Sequence, residues 1–225
     1  MCFTPTISLL TAIFEFGVAT FLLFYYKKSS FNKAIIILIY LLGLYQLTEY
    51  MLCSSNSPFF WAKIGFVTYT FLPAIGLNFC YDYVKRKYNS LFIFIIPTIF
   101  SLFALLNKNF IIETLCENYF VVVRHMFFNN LLLIIMYLMY YFGFIILISY
   151  LLIQHYKKLR SKIKKEIDID VLIGIFISLV PAILLLFIFP ALIISFPSIY
   201  CKFAVLFTIA ATIAFHLDKK SRKGG

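Results

Sequence analysis

Residues 131–156 read LLLIIMYLMYYFGFIILISYLLIQHY, and residues 157–165 read KKLRSKIKK. The first stretch carries no Asp, Glu, Lys or Arg. An α-helix rises about 1.5 Å per residue, so about 20 apolar residues cross the roughly 30 Å hydrocarbon core of a bilayer. This stretch is long enough, and it is apolar on every face. The second stretch holds Lys157, Lys158, Arg160, Lys162, Lys164 and Lys165. A long apolar helix stopped by a dense run of Lys and Arg is the signature of an end on the cytoplasmic side.

Outward from this segment, six further stretches have the same character: 5–26, 34–54, 58–84, 90–106, 171–195 and 199–217. The composition agrees. Hydrophobic residues make up 63% of the 225 positions and charged residues 13%, with mean hydropathy +0.97. A water-soluble core cannot hide that much apolar surface. The expected fold is an all-α membrane protein, a bundle of seven transmembrane helices over residues 1–218. A short basic cytoplasmic tail, 219–225, follows. The first span lacks a basic leader and a small-residue cleavage site, so it reads as a retained helix.

The remaining charges set the orientation. Lys27, Lys28 and Lys33 follow the first span, Lys85, Arg86 and Lys87 the third, and Lys219, Lys220, Arg222 and Lys223 the seventh. With the run after the fifth span, sixteen of the twenty basic residues fall on one face of a seven-span chain. The expected topology is N-terminus outside and C-terminus cytoplasmic, in a bacterial inner (plasma) membrane. The net charge of +11 is thereby a topology signal. It does not point to nucleic acid, whose partners carry denser basic patches on soluble structure. Its expected partners are the bilayer itself and anionic lipid headgroups at the cytoplasmic face.

Four cysteines, Cys2, Cys53, Cys116 and Cys201, fall at the expected outer ends, and Cys80 lies toward the inside. An oxidising exterior permits disulfides, with Cys2–Cys201 and Cys53–Cys116 as one pairing, free thiols as an alternative and a metal site with His125 as another. No metal or cofactor is expected. The one long external link, 107–130, is too apolar for a plain loop. Its valine-rich part, 119–125, favours strand, so a small hairpin or lid over the outer mouth is expected.

Ionisable residues inside a membrane helix are costly and usually face the bundle interior. Glu15 lies near the middle of the first span. Glu49 and Lys63 lie at matched depth near the outer ends of the second and third, which suggests a buried pair. Gln46 shares a helix face with Glu49. Glu15, Gln46, Glu49 and Lys63 form the candidate ligand-binding cluster, or else a structural polar lock. Asp82 is expected to pair with Lys85 or Arg86, and His155 and His216 to sit at the inner interface. Pro73, Pro97, Pro181 and Pro190 can bend their helices and make room.

The opening Met1-Cys2-Phe3-Thr4, with Gly17-Val18-Ala19 in the first helix, resembles an uncharacterised family of small bacterial membrane proteins that begin Met-Cys-Phe-Ser-Ala. Gln46 and Glu49 match that family's Gln-x-x-Glu, and Tyr200-Cys201 stands where it has Trp-Cys. Thr4 for Ser and Tyr200 for Trp are departures. The resemblance implies no activity; it implies one outward-facing cluster of Cys2, Glu49 and Cys201. Phe60-Trp61-Ala62-Lys63-Ile64-Gly65 with Pro73 is similar to the seven-helix sensory region of some histidine kinases.

No catalytic motif is recognisable, and an enzyme is the less favoured expectation. The three histidines are split between the two faces, against a three-histidine zinc site. The leading expectation is a sensor or small-ligand-binding, receptor-like protein with an outward-facing polar cavity and a separate cytoplasmic signalling partner. A proton- or cation-coupled transporter or channel is the alternative. An intramembrane lipid-modifying enzyme or an assembly scaffold comes after both.

Overall fold

A computed structural model describes residues 4–25, 30–117, 121–188 and 196–223. Some side chains near helix ends, including those of 196–202, lie outside that description. The described chain is mostly helical, with seven α-helices and one hairpin. The order is α1 (Thr4–Tyr25), α2 (Ser30–Ser54), α3 (Pro58–Tyr83), α4 (Ser90–Leu106), β1 (Ile111–Cys116), β2 (Val121–His125), a short 3-10 turn (Met126–Asn129), α5 (Leu131–Lys158), α6 (Lys162–Ile188) and α7 (Phe196–Lys223).

Four helical stretches are long and apolar enough to cross a membrane: Pro5–Tyr25, Asn32–Ser54, Pro58–Tyr83 and Leu131–Lys158. Their outward faces suit lipid. Leu10, Phe24, Met139 and Ile146 are well exposed, as are Leu91, Phe92, Ile99 and Leu106 of α4. On a water-soluble protein such a continuous apolar surface would drive association.

Local sequence sets the helix ends. Pro58 opens α3 in its first turn, where its missing N–H costs nothing. Asn89 caps α4 by accepting from the Leu91 N–H, and Asn130 caps α5 by accepting from those of Leu132 and Leu133. Such side-chain oxygens satisfy amides that have no partner within the helix. Pro73 and Pro97 lie inside unbroken helices and are buried. Pro181 lies in α6, but its side chain, like Pro190 as a whole, lies outside the described residues.

Two helices extend past the uncharged stretches expected to span. Helix α6 starts at Lys162, so its first turns carry Glu166, Asp168 and Asp170. Only 159–161 separate it from α5. Helix α7 runs to Lys223, and most of the basic tail is its last turns.

The core divides into two clusters. One gathers Ala19, Leu22, Ile39, Leu77, Leu152 and Phe215 toward the ends of the helices near Lys85 and Lys157. The other is aromatic and lies at the opposite end, where the hairpin folds down. Phe66 sits at its centre, with ring centroids 4.7 Å from Phe110, 5.2 Å from Tyr69, 5.3 Å from His125 and 5.5 Å from Tyr137. The strands pair antiparallel, Cys116 against Val121 and Ile111 against His125, with a bulge between Ile111 and Glu113. Cys53 at the end of α2 is disulfide-bonded to Cys116 in β1. Of the expected second bridge, Cys2 and the side chain of Cys201 lie outside the described residues.

Candidate functional site

Helices α1 and α2 run antiparallel, and their register is fixed at three levels. Ser8 donates to Glu49 Oε2 at 2.9 Å. Gly43 sits so close to α1 that a Cβ there would lie 3.3 Å from Glu15 Cβ and 3.1 Å from the Phe16 ring. Thr20 and Tyr40 share a hydroxyl–hydroxyl bond of 2.8 Å. The absent side chain of Gly43 is what admits the Glu15 stem against the second helix.

Gly43, Gln46 and Glu49 are three residues apart along one face of α2, steps of about 4.5 Å along the axis. Ser8 and Glu49 thus mark the rung of a polar seam nearest the hairpin, Gln46 the next, and Glu15 the last, about 9 Å along the axis from the first. Glu15 and Gln46 have no solvent exposure. Both Glu15 oxygens, and both the oxygen and the nitrogen of the Gln46 amide, lack a hydrogen-bond partner among the described residues. Unsatisfied buried groups are uncommon and costly, and they mark places where a further group can bind.

Lys63 stands apart from this seam. The matched depth of Glu49 and Lys63 suggested a pair, but the Lys63 ammonium donates to the Asn107 carbonyl at 2.5 Å. Asn107 is the C-cap of α4, where a cation complements the free carbonyls of the helix end. The reason is angular. Ala62, Phe66 and Tyr69 are buried in the aromatic cluster, and Lys63 projects about 100° round the helix from Ala62.

Glu49 opens onto a cavity with about 30 Å³ of room for water-sized spheres. Tyr45, Trp61, Phe66, Tyr69 and His125 are among its other walls. Gly65 matters here because it brings α3 close to α2: a Cβ on Gly65 would lie 2.8 Å from Thr48 Oγ1. The hairpin forms the roof through Val121, Val123 and His125.

His125 is the residue that the sequence did not single out for this role. It is 4% exposed, and Phe110 lies parallel to its ring at 5.5 Å. Phe127 meets it edge-on at 5.3 Å. Its Nδ1 has no partner among the described residues. Burial takes the imidazole down to about 3, so the ring is neutral at physiological pH.

A second buried polar contact lies at the other end of the bundle. His155 Nδ1 is 2.8 Å from Asp168 Oδ2, and the Asp168 side chain is fully buried. The Tyr83 ring stands edge-on to His155 at 5.1 Å. This clasp joins α5 to α6. Asp82 is held by Tyr88, which donates to it at 2.7 Å and to Asn78 at 3.0 Å. His216 is exposed on α7. Among the described residues no group of three His, Cys, Asp or Glu side chains is arranged to hold a metal ion.

No protein-family model, curated protein or solved structure matches this chain.

The His125 environment makes a pH prediction. A histidine whose folded pKa is lowered contributes stability above its unfolded value, near 6.5, and loses that contribution as pH falls toward about 3. Taking detergent-solubilised protein from about pH 7 to about pH 4.5 lowers stability by about 2–3 kcal/mol through this group. Thermal unfolding of wild type and His125→Gln across that window checks it. Parallel pH slopes for the two proteins would contradict the assignment.

Proposed function

We propose that this chain is a seven-span, receptor-like membrane protein that binds a small ligand in the cavity between Glu49 and the hairpin. The proposed topology has the N-terminus and hairpin outside and the C-terminus in the cytoplasm. Two independent features support it. Sixteen of the twenty basic residues fall on the assigned inner face, as the positive-inside rule requires. The Cys53–Cys116 disulfide falls on the assigned outer face, where oxidising conditions favour such bonds. This orientation suits a bacterial plasma membrane. Whole cells treated with a membrane-impermeant label should modify a cysteine introduced at Lys108, and leave one introduced at Lys158 unmodified until the cells are opened. The opposite pattern would reverse the topology.

The observation that carries the binding reading is the cavity itself. It is roofed by the disulfide-pinned hairpin and walled by a carboxyl group, aromatic rings and a buried imidazole whose Nδ1 has no partner among the described residues. Enclosed apolar walls with a few converging polar groups are the usual form of a small-ligand site. Ligand binding would shift the helices and reach a separate cytoplasmic partner at the basic junction of α5 and α6. A cognate compound from a metabolite and lipid panel should raise the melting temperature of the purified protein by several degrees, and Glu49→Gln should abolish the rise. A panel without any Glu49-dependent stabiliser would sink the reading.

The seam between α1 and α2 favours a second reading, a proton- or cation-coupled transporter. Glu49, Gln46 and Glu15 descend toward the middle of the membrane in steps of about 4.5 Å, close enough for a relay through one intervening water. In proteoliposomes, Glu15→Gln should then reduce cation-driven pH change at least tenfold. Equal flux in wild type and variant would remove this reading.

A further inference from the structure

The binding reading leaves the ligand open, and the walls of the cavity narrow it. Size comes first. A water molecule needs roughly 10–15 Å³ of such space, so about 30 Å³ holds two or three water-sized groups. Sugars, nucleotides, amino acids and lipid headgroups are all too large for a cavity of this size.

Charge comes next. Glu49 is the acidic residue of the lining, and no Lys or Arg lines the cavity among the described residues. The nearby Lys63 is committed to the Asn107 carbonyl. His125, buried and neutral, adds no positive charge. An anion would therefore meet a carboxyl group and aromatic rings, with no cationic side chain to balance it among the described residues. A cation is favoured by both, because the ring quadrupole attracts positive charge most strongly where water is excluded.

The kind of cation follows from the polar atoms. Bare metal cations such as sodium need several oxygen ligands, and most of this wall is apolar. The His125 Nδ1 is buried and has no hydrogen-bond partner among the described residues. With the ring proton on Nε2 it is an acceptor, and it requires a donor N–H or O–H. An ammonium group supplies both properties: positive charge for the carboxyl and the rings, and N–H donors for oxygen and imidazole nitrogen.

The geometry points to a site for ammonium or a primary alkylammonium no larger than methylammonium, with Glu49 and His125 as acceptors and Tyr45, Trp61 and Tyr69 as the aromatic walls. This rests on the binding reading above and gives it a ligand class. The cation enters intact and leaves intact, and no bond is made or broken. A quaternary ammonium fails on two counts, since it lacks N–H donors and exceeds the volume.

The test uses the full chain in lipid nanodiscs and isothermal titration calorimetry. Ammonium chloride and methylammonium chloride are titrated against sodium chloride and tetramethylammonium chloride at matched ionic strength. Saturable binding is expected for the first two and none for the others. Glu49→Gln should weaken methylammonium binding at least tenfold. Trp61→Leu, which keeps an apolar wall, should weaken it severalfold. His125→Phe, which keeps the packing and removes the acceptor, should also weaken it. The unfolding midpoint of each variant, measured alone, shows which of them are folded and can be read. Equal binding of sodium and methylammonium, or binding by folded His125→Phe at wild-type strength, would overturn the proposal. Absence of methylammonium binding to wild type would also overturn it. If another compound then stabilises the protein through Glu49, the binding reading survives with a different ligand.

Discussion

Inside hydrocarbon a polar group has no water to turn to, and this constraint organises the molecule. It selects helices, which satisfy their own backbones. It also governs the small polar side chains. Thr68, Thr98, Ser149, Ser178 and Thr212 each turn back to a carbonyl about one turn earlier in their own helix, the cheapest way to bury a hydroxyl. Thr70 and Tyr137 share a bond of 3.0 Å between α3 and α5, and Tyr140 donates to the Thr70 carbonyl. Against this background, Glu15, Gln46, Ser101 and His125 are among the exceptions in the described residues. The places where a well-packed molecule tolerates such exceptions are the places where function is to be sought.

Length and charge made the helices legible. Leu131–Lys158 could hardly be anything else, because no soluble core accommodates so long an apolar segment. The face shared by Gln46 and Glu49 was also legible, since a spacing of three fixes it. What depth could not reveal was angle. Lys63 and Glu49 lie at similar heights, yet a step of one residue from Ala62 carries Lys63 out of the aromatic cluster and toward the end of α4. Pairing two charges from sequence needs the azimuth of both, and the packing of Phe66 decides it for α3.

His125 and Asp168 were hidden for different reasons. The chemistry of His125 is made by distant residues, because Phe66, Phe110 and Phe127 surround it only once the hairpin has folded onto the bundle. Asp168 was obscured by the usual definition of a span. Uncharged residues begin at Val171, but the helix begins at Lys162, and its second turn delivers a carboxyl group to His155. A hydropathy profile marks where lipid can be and is silent about where a helix starts.

The disulfide has a further consequence for α4. Among the helices, α4 packs mainly against α3, and much of its surface is apolar and exposed. Cys53 and Cys116 are 63 residues apart, and the chain between them contains α3, α4 and most of β1. The bond closes that stretch into a covalent ring. Helix α4 is therefore tethered at both ends, by its turn from α3 and by the strand that follows it. A peripheral helix that packing alone would hold weakly becomes a permanent member of the bundle, and the ring acts as a hoop that keeps wall and roof of the cavity beneath the hairpin in fixed company.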